Sequence, residues 1–105
     1  MDKIMSEVCV FLADGFEEIE GLTVVDLLRR AGIETRTVSI MGQEEIKGAH
    51  GIIVKADSLF ENTDFSEVKM LVLPGGMPGT TNLKAHSGVR KIVKEFADEG
   101  KYVAA

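Results

Sequence analysis

Two short segments of this chain hold residue types that could do chemistry. The first, Asp14-Gly15-Phe16-Glu17-Glu18-Ile19-Glu20, follows an apolar run and opens a helical pattern. Glu17 and Glu18 fall in a first helical turn, where acids complement the helix dipole and need no other role. Glu20 lies further in, with apolar Ile19 and Leu22 near it. A carboxyl held against apolar groups can serve as general acid or base, so Glu20 is the candidate proton carrier. The second segment, Pro74-Gly75-Gly76-Met77-Pro78-Gly79, places Gly75 and Gly76 at a sharp turn. Glycine lets backbone N–H groups approach a ligand closely, as an oxyanion or phosphate site needs, although a plain glycine turn has the same pattern. No Gly-x-Gly-x-x-Gly occurs and no Gly-Lys-Ser/Thr follows, which excludes a dinucleotide fingerprint and a Walker loop.

The other polar candidates read as structural. Asp26, amid Val24, Val25, Leu27 and Leu28, is expected to be a buried, hydrogen-bonded acid. His50 and His86 sit in polar stretches near glycines, with no Cys or His at ligand spacing, so neither a metal site nor a cofactor is expected. Cys9, within an apolar strand pattern, reads as an inert core thiol.

The elements that must position these groups follow from periodicity. Val8-Cys9-Val10-Phe11-Leu12 is apolar throughout, as a parallel strand covered on both faces must be. A helix is expected over about residues 17–31, with Leu22, Val25 and Leu28 as its buried stripe and Gly32 just past its end. Thr35 to Ile40 is β-branched and reads as a second strand. The stretch from Glu44 to Asp57 suits short strands or a hairpin. Met70-Leu71-Val72-Leu73 is another buried strand, stopped by Pro74. That proline stands where a receiver domain would carry its phosphoacceptor Asp. Val89, Ile92, Val93, Phe96 and Ala97 mark a second helix, and Tyr102 to Ala105 starts a last strand. The order β-α-β-(short β)-β-α-β implies an α/β fold with a doubly wound, mostly parallel, flavodoxin-like sheet.

Composition sets the outer bounds. The chain has 105 residues, 28% of them charged, and a net charge of -5, which argues against a nucleic-acid surface. No apolar run approaches the roughly 20 residues that span a bilayer. Residues 1–7 lack the apolar stretch of a secretory signal, and one cysteine allows no internal disulfide, so a cytoplasmic location is expected. The end of the chain is unusual. A central strand ending at Ala105 would leave a carboxylate near the sheet interior, which is costly. The expectation is a polypeptide that continues, with residues 1–105 as the N-terminal part of one domain. The alternative is a short domain whose last strand lies at an exposed edge.

Taken together, Leu12 to Glu20, Asp26-Leu27-Leu28-Arg29-Arg30-Ala31-Gly32-Ile33 and Leu73-Pro74-Gly75-Gly76 resemble the ThiJ/PfpI superfamily, in order and spacing over the whole chain. The likeness is greatest to the ThiJ branch that includes a parkinsonism-associated glyoxalase and deglycase. The resemblance implies a reactive cysteine on a strained elbow a few residues past Ala105, with a catalytic histidine further on. It matches Glu20 to the family's buried glutamate, an acid or base that hydrogen-bonds the cysteine, and gives the Gly76 N–H a part in holding an oxyanion. It matches Arg30 to an arginine near the site, while His50 stands where a second, anion-binding arginine is expected. The implied activity is cysteine-dependent conversion of small reactive carbonyls or early glycation adducts. A redox-responsive sensor or chaperone, and a PfpI-like peptidase or amidotransferase-like hydrolase, are the alternatives. A homodimer is implied as well.

Overall fold

The structure, a computed structural model, describes residues 7–105; of the N-terminal stretch inspected for a signal, all but Glu7 lies outside them. Its centre is β1 (Val8–Leu12), whose five residues are all buried. The pleat sends alternate side chains to opposite faces. Cys9 and Phe11 join a core with Val38, Leu71, Leu83, Val89 and Phe96, while Val8, Val10 and Leu12 join another with Phe16, Val25, Ile46 and Val72. Burying each such side chain contributes about 1.5–3 kcal/mol, which explains why this run is apolar at every position.

From β1 the chain enters α1 (Glu18–Arg30), with Glu17 as N-cap and Ala31 as C-cap. Gly32 follows at φ 79°, the left-handed position expected just past the helix. Then come β2 (Thr35–Ser39), a hairpin of β3 (Glu45–Lys47) and β4 (Ile53–Lys55), and β5 (Ser58–Leu59). A single 3₁₀ turn leads to β6 (Met70–Val72), α2 (Gly79–Ala85), α3 (Ser87–Asp98) and β7 (Tyr102–Ala104). The main sheet runs β5-β2-β1-β6-β7, and every pairing in it is parallel. α1 lies over one face and α2 with α3 over the other, the doubly wound arrangement expected from the element order.

Two short elements escape sequence reading. The α2 helix has seven residues and only Gly79 and Leu83 buried, too few positions to show a period. β5 has two residues, aligned on β2 through Val38 and Ser39. His86, between α2 and α3, is the N-cap of α3, its Nδ1 accepting from the Val89 N–H at 3.1 Å.

One expectation is corrected. Asp26 is exposed and pairs with Arg30 one turn along α1, because it lies on the helix face turned from the sheet. Among the described residues β7 is the outer strand of the sheet, and Tyr102, Val103 and Ala105 are exposed.

Cys9 meets its expectation. It is fully buried, and burial pushes its thiol up to about 12 against a smaller opposing effect of Arg36. The thiolate is therefore excluded from the native state. We expect Cys9 to resist iodoacetamide at pH 8 until denaturant is added, as followed by mass spectrometry of its peptide. Its stability contribution is intact below pH 9 and is lost as pH rises toward 12, since the unfolded thiol ionises first. Rapid native labelling would contradict the packing around β1.

Candidate active site at the switch point of the sheet

β1 is continued through α1 to β2 on one side, whereas β6 lies on its other side. Such a switch in strand order opens a crevice beyond the carboxyl ends of the two strands. The loops after β1 and β6 meet there. The Glu17 N–H donates to the Gly75 carbonyl at 2.8 Å, and Asn82 Nδ2 donates to the Asp14 carbonyl at 2.8 Å. On the far side the β1 loop is held by the hairpin, with the Lys47 N–H on Asp14 Oδ1 and the Gly15 N–H on the Lys47 carbonyl. Asn82 and Asp14 were not singled out in the sequence, because their work is done by contacts spanning 68 and 33 positions.

Glu20 points into this crevice. Its Oε1 accepts the Gly75 N–H at 3.1 Å, which leaves the other carboxylate oxygen for a ligand. Within residues 7–105 Glu20 is exposed. The reason is two cavities of about 360 Å³ each, on either side of the end of β7, and both are lined by Glu20, Leu73, Pro74 and Ala105. Gly75 and Gly76 thus divide the labour: the Gly75 amide fixes Glu20, and Gly76 at φ 101° turns the chain tightly against the β1 loop.

The binding candidates lie elsewhere. Arg30 is ten residues beyond Glu20 on α1, about 15 Å along a helix that runs away from the strand ends. It is exposed and paired with Asp26 at 3.0 Å, so within this chain it does not meet Glu20. His50 sits in the hairpin turn, where its Nδ1 lies 2.8 Å from Glu18 Oε1 and 3.6 Å from Glu17 Oε2. Its ring faces both carboxylates.

Glu18 is the larger correction. A role limited to the helix dipole was expected, yet Glu18 is 3% exposed. Its Oε2 accepts the N–H groups of His50 at 2.9 Å and Ile52 at 3.3 Å. Burial alone would raise this carboxyl, but bonds from the His50 ring, its own N–H and the two hairpin amides outweigh it and hold Glu18 at about 2. The same pair raises His50 above its ordinary value, first through the Glu18 hydrogen bond and then through the charges of Glu17 and Glu18, with desolvation opposing. Gly48 makes room for this seat, since a Cβ there would fall 2.3 Å from the Glu18 carboxylate.

The strand order and the helices on both faces define a flavodoxin-like α/β protein with a crevice at the sheet's switch point. The chain belongs to the DJ-1/PfpI family: a profile of that family matches residues 6–105. It is 32% identical to protein DJ-1 homolog B of Arabidopsis thaliana over 105 residues, 100% of this chain and 24% of that protein. A deglycase of Thermococcus kodakarensis is 31% identical over 99 residues, 94% of this chain and 58% of that protein. The structure of oxidized Toxoplasma gondii DJ-1 superposes with a TM-score of 0.88 at 32% identity, over 91% of this chain and 52% of that one. The chain thus spans from about a quarter to somewhat over half the length of these relatives. Among the described residues, no helix is long and apolar enough to cross a membrane.

Proposed function

We propose that residues 1–105 are the N-terminal part of a cysteine-dependent enzyme that converts small reactive carbonyls, or early glycation adducts, as a glyoxalase or deglycase. The observation that carries this reading is Glu20, fixed by the Gly75 amide and sharing both cavities with Ala105 at the end of β7. A cysteine on an elbow just past Ala105 would face that carboxyl. Family membership and the deglycase among the relatives support the choice of chemistry.

In this mechanism the thiolate sulfur adds to the aldehyde carbon of a 2-oxoaldehyde, and the carbonyl oxygen takes a proton to give a hemithioacetal. The Gly76 N–H stabilises the oxyanion as it forms. Glu20 then removes the C1 proton and returns it to C2, leaving a thioester. Water cleaves the thioester to the 2-hydroxy acid and regenerates the thiol. Methylglyoxal plus water gives lactic acid, with no external oxidant or reductant. The reading includes a cytoplasmic location and a homodimer. Ile19, Leu27, Ile52 and Ile53, large side chains exposed on α1 and around the second hairpin strand, are suited to a subunit contact.

The test is to follow methylglyoxal loss and lactate formation together with the full-length protein. Catalytic, stoichiometric conversion is expected. Methylglyoxal loss that stops at one equivalent of protein, or no turnover with oxidation-dependent suppression of aggregation, would instead support a redox sensor.

A further inference from the structure

The Glu17, Glu18 and His50 group lies apart from the Glu20 crevice and has no part in the mechanism above. Its three side chains each offer a ligand atom, and these atoms lie within 4.8 Å of one another. We propose that Glu17, Glu18 and His50 bind a divalent first-row cation such as Zn²⁺ through two carboxylates and one imidazole, with water completing the shell. Imidazole and carboxylate together suit Zn²⁺, Co²⁺ and Ni²⁺.

The donor spacing fits a coordination polyhedron. Neighbouring ligands at about 2.05 Å from a metal stand about 2.9 Å apart in an octahedron and about 3.4 Å apart in a tetrahedron. The separation from His50 Nδ1 to Glu18 Oε1 is 2.8 Å, and to Glu17 Oε2 it is 3.6 Å. All three donor atoms lie within 4.8 Å of one another, so side-chain adjustment of Glu17 and His50 is what closes them onto one centre. The cation takes the place of the Nδ1 proton, which is released to solvent.

The site is built rather than incidental. Glu18 is seated by the amides of His50 and Ile52, with Gly48 leaving space for its carboxylate. Such outer contacts orient a ligand and hold its lone pairs in place. Glu17 Oε2 accepts the Ile19 N–H at 3.2 Å and keeps a second lone pair for a metal. The two acids offset the positive end of α1, which would otherwise repel a cation. Side-chain exposures of 4% for Glu18, 25% for Glu17 and 65% for His50 give a closed floor and an open entry. Sequence spacing conceals the group, because His50 reaches the acids across 32 positions.

The test uses the full-length protein stripped with chelator. Co²⁺ is titrated at pH 7.5 by its visible absorbance and then displaced with Zn²⁺. One equivalent is expected to bind, without the near-ultraviolet charge-transfer band of a thiolate ligand. His50→Ala, with a native circular dichroism spectrum, is expected to weaken binding about ten- to hundredfold, and His50→Arg to do the same if Ala disturbs the turn. Glu17→Gln gives an independent loss. Failure to bind Co²⁺ and Zn²⁺ at millimolar concentration, or a loss of less than about fivefold in the folded His50 variants, overturns the proposal.

Discussion

Glu20→Gln in the full-length protein is expected to lower kcat for methylglyoxal about 10²- to 10⁴-fold while leaving the fold intact. The amide oxygen of glutamine can still accept the Gly75 N–H that Glu20 Oε1 accepts at 3.1 Å, so the loop geometry is preserved. What glutamine cannot do is take a proton from carbon and give it back. Glu20→Asp is the second arm. It keeps the carboxyl but draws it back by one methylene from Gly75, so an intermediate rate is expected. The measurement is kcat and KM by lactate formation, beside a urea denaturation curve for each variant. Turnover by Glu20→Gln within about threefold of the parent would remove Glu20 from proton transfer, whatever reaction the protein catalyses.

How much of this was legible depended on the range of the interactions. β1 was recoverable because five consecutive buried residues leave a pattern that only a doubly covered strand produces. The period of α3 was equally plain, with Val89 and Phe96 at its buried positions. Pro74 and the two glycines marked the end of β6. The acids were harder. Glu17, Glu18 and Glu20 are almost adjacent in sequence, yet a helix start sends them to three environments: a partly exposed cap, a buried seat in the hairpin, and the open crevice. The first-turn rule explains why acids stand there but does not say which one is buried. That is decided by the hairpin, and above all by Gly48, 30 positions away. Asp26 failed for a related reason, since apolar neighbours in sequence are not neighbours on a helix face. Arg30 lies about 15 Å along α1 from Glu20, so within this chain it pairs with Asp26 instead.

The second large effect is expected at Gly76. A Cβ there would lie 2.5 Å from the Glu17 nitrogen, 2.8 Å from the Gly15 oxygen and 2.9 Å from the Phe16 carbonyl carbon. All three are backbone atoms of the β1 loop, so no side-chain rotation relieves the contact. Gly76 also has φ 101°, which costs an L-residue about 1–3 kcal/mol. Gly32→Ala isolates that backbone cost, because Gly32 has φ 79° and nothing within 4 Å of the added methyl. By urea denaturation, Gly32→Ala should lose about 1 kcal/mol and Gly76→Ala at least about 3 kcal/mol, a large share of the 5–15 kcal/mol that holds a typical domain. The excess measures how tightly the two site loops are pressed together. Equal losses at the two glycines would mean that the β1 and β6 loops can part freely. The bond from Glu17 N–H to the Gly75 carbonyl would then be incidental, and the Gly75 amide could not hold Glu20 in place. A larger loss at Gly76 ties the stability of the turn to the placing of the acid, since the contact that Ala disrupts is the one that sets Gly75 beside α1.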